Sequence, residues 1–159
     1  MKKPVMLVTV AVASLCLAGC GFQLVGVGLP EKFDGYQLNA PSSSKVGKRL
    51  EQQLEDYGMS SGGDNSVGFR ILREAFTSSR SLASRAATTA EIQLNLTVEA
   101  MVTLPGEQPF RVEYKLHDFY PINYRDPHGN RELRRTLEEY LAGEAAILLI
   151  ESVSNPTPN

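Results

Sequence analysis

From Ile92 to Leu104 every second residue is apolar: Ile92, Leu94, Leu96, Val98, Ala100, Val102 and Leu104 alternate with Gln93, Asn95, Thr97, Glu99, Met101 and Thr103, and Glu91 precedes them. A period of two sustained over that length fits an extended strand, because a helix would scatter the same side chains around its circumference. Such a strand needs a cover for its apolar side and leaves the polar side to water or to a partner. Pro105 and Gly106 then turn the chain. Beyond them Phe110, Val112, Tyr114 and Leu116 alternate with Arg111, Glu113, Lys115 and His117, so the two runs form a hairpin with one wet face. The other elements have to be arranged around this hairpin.

Upstream, Phe33 to Ala40 is a short strand candidate closed by Pro41 and the run Ser42 to Ser44, which also starts a helix. Val46, Leu50, Leu54 and Tyr57 share one helical face, Lys48, Arg49, Glu51, Gln52 and Glu55 face water, and Gly58 ends the helix. Val67 to Phe76 reads as a strand with a bulge or twist, since its apolar residues move from the 67, 69, 71 series to 72 and 76. Thr77 to Ala90, rich in Ser, Thr and Ala, is a connection with room for strand extensions at either side. Pro121, Asp126, Pro127, Gly129 and Asn130 mark a loop, with Asn130 the expected N-cap of a helix from Arg131 to about Val153. Its inner face is expected to be Leu133, Leu137, Leu141, Ala145 and Leu148, widened by Tyr140 and Ile147. The order β-α-β-β-β-α predicts an α+β two-layer sandwich: a four-stranded, mostly antiparallel sheet with two helices on one face.

The first residues carry a different signal. Lys2 and Lys3 precede an apolar run from Val5 to Ala18, the basic start and apolar centre of an export leader. That run is shorter than the roughly 20 residues a membrane-spanning helix needs. Leu17, Ala18, Gly19 and Cys20 resemble the lipobox of bacterial lipoproteins. The resemblance implies removal of residues 1–19 and conversion of Cys20 to an N-palmitoyl, S-diacylglycerol cysteine. Several acyl chains, at about 0.8 kcal/mol per buried CH₂, anchor a protein without any helix. Gly21, where an Asp resembles an inner-membrane retention signal, implies the outer membrane. The expected organisation is a signal peptide at 1–19, a lipidated tether at 20–32, one α+β domain at 33–153 and a flexible tail at 154–159.

Little in the chain points to catalysis. Cys16 and Cys20 are the only cysteines and His117 and His128 the only histidines. The body after Cys20 therefore has no thiol nucleophile, thiolate metal site or disulfide. No glycine-flanked serine elbow or phosphate-cradling loop occurs, and Glu138 and Glu139, adjacent on a helix, point about 100° apart. No catalytic residue, metal or cofactor is expected. Without Lys2 and Lys3 the chain keeps 14 basic and 18 acidic side chains, a balance that argues against general nucleic-acid binding. Two surfaces are left without an evident structural use: the polar face of the sheet and an Arg-bearing loop at one end.

Taken together, the segments resemble a known family. Gly19-Cys20-Gly21-Phe22-Gln23-Leu24, the helix ending Gln53-Leu54 before Gly58, and Thr89-Ala90-Glu91 leading through the alternating strand to Leu104-Pro105-Gly106 look like the lipopolysaccharide-assembly lipoprotein LptE family. The resemblance covers most of the chain after Cys20 and rests on the order and spacing of the motifs. It implies a lipid-anchored outer-membrane protein, held on the periplasmic side within the lumen of an LptD-type β-barrel, that helps assemble the barrel and assists lipopolysaccharide insertion without catalysis. Arg85 matches a basic position that the family places at its central hairpin. Arg80, Arg125 and His128 join it as lipopolysaccharide-binding candidates on charge and loop position. The alternative is a free-standing periplasm-facing lipoprotein that binds an amphipathic ligand or an envelope partner.

Overall fold

The computed structural model describes residues 28–80 and 90–154. The expected signal peptide, Cys20, Arg85 and the tail beyond Ser154 lie outside the described residues. The elements run α1 (Leu29–Lys32), β1 (Gly35–Asn39), α2 (Lys45–Asp56), β2 (Ser66–Arg80), β3 (Ala90–Thr103), β4 (Phe110–Ile122) and α3 (Pro127–Ser154). The strands form one sheet in the order β1-β2-β3-β4, with β1 parallel to β2 and the other neighbours antiparallel. This is the expected α+β order with two long helices, preceded by the single turn α1. Leu29 of that turn is buried in the core although it falls in the segment read as tether.

The alternation in β3 sets the layering. Ile92, Leu94, Leu96, Val98, Ala100 and Val102 are all buried on the inner side, and Leu104 continues the row. Each fully buried Leu or Val contributes about 1.5–3 kcal/mol relative to exposure. The inner face of α3 meets them with Leu141, Ala142, Ala145, Ala146, Leu149, Ile150 and Val153. That face is rotated from the expected one: Leu141 and Ala145 belong to it, but Tyr140 and Leu133 are exposed and Ile147 and Leu148 only half-buried. Ala142, Ala145, Ala146, Leu149 and Ile150 are fully buried, and of these only Ala145 belongs to the expected face.

In β2 the inner series Val67, Phe69 and Ile71 is interrupted at Leu72, where the pairing with β3 slips by one residue. Ile71 pairs with Ala100, but the next partners are Arg73 with Glu99 and Glu74 with Val98. Leu72 is the inserted residue of a bulge and is itself 46% exposed. Beyond it Glu74 and Phe76 share the inner side with Val98 and Leu96. The strand continues to Arg80, so four residues of the expected connection are paired with β3.

Glu74 reaches the start of α2. Its carboxylate accepts hydrogen bonds from the Ser44 hydroxyl, from Lys45 N–H at 3.0 Å and from Val46 N–H at 3.4 Å. Ser44 is the N-cap and accepts from Gly47 N–H at 2.8 Å. Two side chains thus serve N–H groups that have no partner within the helix. Gly58, in the left-handed region at φ 81°, turns the chain away at the other end. The helices α2 and α3 are tied together on their wet side by Lys45, which meets Glu138 and Glu139 at 3.1 Å each, and by Arg49 with Glu139 at 3.3 Å.

Candidate functional site

The sheet topology gives the domain two distinct ends. β1 and β2 start together, with Gly35 beside Ser66, and β2 runs the length of the sheet to Arg80, which pairs with Ile92. Ala90 pairs with Ile122 at the same far end. The loop Asn123–Asp126 and the start of α3 therefore belong to the end marked by Arg80. Of the lipopolysaccharide-binding candidates, Arg80, Arg125 and His128 are brought to this end; Arg85 lies outside the described residues.

Asparagines build the loop. Asn130 accepts from Asn123 N–H at 3.0 Å and donates its side-chain amide to Asn123 O at 2.8 Å, while Asn123 Oδ1 accepts from Arg125 N–H at 3.0 Å. Asn130 is therefore a clip across the loop and not the N-cap expected of it. The capping bond is made by Asp126, whose Oδ1 accepts from Gly129 N–H at 2.9 Å, with Pro127 opening the helix. Pro121 lies within β4, on an edge strand where its missing N–H is tolerated. This clipped loop holds Arg125 and Tyr124 exposed, Tyr124 at 64%.

The cations at this end differ in availability. His128 is exposed, but its Nδ1 faces Arg131 Nη2 at 2.9 Å, where the ring nitrogen can only accept from the guanidinium. Arg131 went unnoticed in the sequence, where its spacing of three from His128 on a helix was the available signal. Arg134 and Arg135 are committed to Glu138 at 2.8 Å and Glu132 at 3.1 Å. Among the described residues Arg80 and Arg125 form no ion pair. Tyr124 is exposed next to Arg125, and Leu133 is exposed on the first turns of α3, while the exposed Phe119 lies on the opposite face of the sheet from Arg80, which shares the inner side with Ile92 and Tyr120. Guanidinium groups beside exposed apolar side chains suit a ligand that has both anionic groups and hydrocarbon.

The other unassigned surface is the face of the sheet opposite the helices. Glu99 lies near its centre, 15% exposed beneath Arg73 at 3.6 Å and Arg111, with Lys115 and Glu113 paired at 2.8 Å alongside. His117 is exposed on the same face and meets the edge of Phe119, ring centroids 5.8 Å apart. Among the described residues there is no group of three or more His, Cys, Asp or Glu side chains placed to hold a metal, and no helix long and apolar enough to cross a membrane.

This architecture also occurs in solved structures. Rare lipoprotein B from Shewanella oneidensis superposes with a TM-score of 0.66 at 15% identity, covering 77% of this chain and 95% of that one. The two chains share this fold. A minor lipoprotein from Acinetobacter baumannii matches with a TM-score of 0.56 at 18% identity, covering 79% of this chain and 95% of its own. At these identities the fold is what is shared, and no residue role follows from it. No family model and no curated protein matches the sequence.

Proposed function

We propose that the protein is an outer-membrane lipoprotein of the LptE type, anchored through lipid on Cys20, whose domain stands in the lumen of an LptD-type β-barrel and binds lipopolysaccharide without catalysis. The observation that carries this reading is the end of the domain marked by Arg80, where the clipped loop exposes Arg125 beside Tyr124 and the first turns of α3 carry Arg131. Lipopolysaccharide joins phosphates to acyl chains, and this end offers a group for each. The lipobox at Leu17–Cys20 supports the anchor, and the fold shared with two lipoproteins is consistent with it. A polar sheet face suits the water-filled interior of a large barrel.

The first experiment is purification of the tagged protein from outer membranes in mild detergent, with co-purifying proteins identified by mass spectrometry. A large β-barrel in equal amount is expected. Recovery of the lipoprotein alone, with the barrel assembling normally in its absence, would overturn the reading in favour of a free-standing lipoprotein. Lipopolysaccharide capture by the same preparation is expected to fall several-fold in Arg125→Glu/Arg131→Glu and to remain in His128→Ala.

A further inference from the structure

The bare face of the sheet contains a groove that the proposed function does not use. Gly68 and Thr103 pair side by side across β2 and β3 and form its floor, with Gln37 and Asn39 of β1 on one side and Met101 and Pro109 on the other. Its volume is about 460 Å³, and Arg70 stands at its margin. Gly68 is the third residue of β2, an interior strand of the sheet, where glycine weakens the pairing unless something must approach the backbone closely. A Cβ at Gly68 would lie 3.2 Å from the Thr103 Cβ, on the groove side. Glycine therefore keeps the floor open.

The margin of the groove is cationic. Arg70, Met101 and Arg111 are paired neighbours in one row across three strands. The two arginines thus flank Met101 with their backbones about 10 Å apart, twice the strand spacing. Arg111 and Arg73 both lean on Glu99, which fixes them while leaving most of their N–H donors free; their side chains remain 61% and 62% exposed. Arg70 has no ion pair among the described residues. Around Glu99 and Glu113 the face thus carries four cations, Arg70, Arg73, Arg111 and Lys115, against two carboxylates. Pre-positioned guanidinium groups match the oxygens of a phosphate, and the neighbouring amides and hydroxyl of Gln37, Asn39 and Thr103 match the hydroxyls of a sugar.

We propose that this groove binds a phosphorylated sugar, its phosphate held above Met101 by Arg70 and Arg111 and its ring lying over Gly68. The ligand is either a free sugar phosphate or the headgroup of a phosphorylated glycolipid. The site is separate from the end proposed above to bind lipopolysaccharide and does not depend on a barrel partner. The test is equilibrium dialysis of radiolabelled glucosamine 1-phosphate against the full lipidated protein in detergent micelles, with glucosamine and inorganic phosphate as competitors. Saturable binding is expected, displaced at least tenfold less well by inorganic phosphate and not by glucosamine. Arg70→Gln and Arg111→Gln are each expected to weaken it fivefold or more without changing the melting temperature, and Gly68→Val to abolish it where the protein folds. Arg125→Gln is expected to leave it unchanged. A lipopolysaccharide competitor that displaces the probe in the wild type and in Arg125→Gln alike identifies the headgroup source; no displacement identifies the free sugar phosphate. Absence of saturable binding, equal competition by inorganic phosphate, or loss in Arg125→Gln with retention in Arg70→Gln and Arg111→Gln would overturn the proposal.

Discussion

Two acidic side chains, Glu74 and Glu138, hold α2 and α3 in place by different means. Glu74 serves the Ser44 hydroxyl and two backbone N–H groups at the start of α2. Its replacement by Ala strands those donors at a part-buried site, so Glu74→Ala is expected to cost about 1–3 kcal/mol, read from urea unfolding. Ser44→Ala is expected to cost about 1 kcal/mol, since the cap to Gly47 is lost with the hydroxyl. Burial alone would raise the Glu138 carboxyl, but hydrogen bonds from Arg134 and Lys45 outweigh it and hold the group below the usual carboxylate range. Because the folded value is the lower one, the stability Glu138 contributes is complete above the unfolded value of about 4.3 and is lost as pH falls through the folded value. Burial likewise opposes the charge on Lys45, yet its bonds to Glu138 and Glu139 prevail and raise it. That contribution is complete below about 10.4 and disappears as pH rises through the raised value. Urea midpoints measured from neutral pH down to about 3 should therefore fall less steeply in Glu138→Gln than in the wild type; parallel curves would show that the network does not contribute.

At the scale of elements, the bulge and the long helix show what the pattern of apolar residues could and could not reveal. The change of phase in β2 was visible as apolar residues at 69, 71, 72 and 76, because a shift of one residue moves every later side chain to the other face. What the pattern could not show is that Leu72 is the extra residue. Its size made it look like a member of the inner row. Removing Leu72 leaves Ile71, Arg73 and Glu74 in strict alternation on the faces they already occupy. The shortened chain is expected to fold and to bind its partners, whereas removal of Ala75 should turn Phe76 outward and prevent folding, as judged by circular dichroism. In α3 the sequence showed the helix but not which stripe is buried, since the first turns, Pro127 to Thr136, have no fully buried residue. Leu133→Gln should change stability by less than about 0.5 kcal/mol, while Leu149→Ala should cost about 2–5 kcal/mol. The start of this helix was misplaced because Asn130 and Asp126 are both good caps, and only Asp126 is followed by proline. As for the candidate site, individual cations were legible, but their company was not: Arg131 and Tyr124 join Arg125 through the clipped loop, and Arg70 and Arg111 through strand register.

For the molecule as a whole, the absence of cysteine after Cys20 provides a probe of orientation. A cysteine introduced at Tyr124 or at Asp64 reports one end of the domain each, without interference from another free thiol. If the domain stands in an outer-membrane barrel as proposed, a membrane-impermeant maleimide is expected to label Tyr124→Cys in intact cells and to reach Asp64→Cys only after the outer membrane is opened; the reverse would turn the domain around in the proposed barrel. The basis for this expectation is the course of β2. It begins beside β1, the first strand after the expected anchor at Cys20, and ends at Arg80. Fifteen residues at about 3.3 Å each make a rod of roughly 45–50 Å, close to the 40–45 Å from headgroup to headgroup across a bilayer. If the domain stands in a barrel as proposed, with its foot at the inner leaflet, an upright rod of that length would bring Arg80 level with the opposite headgroups, so that the distance a cargo would climb is set by the length of a single strand.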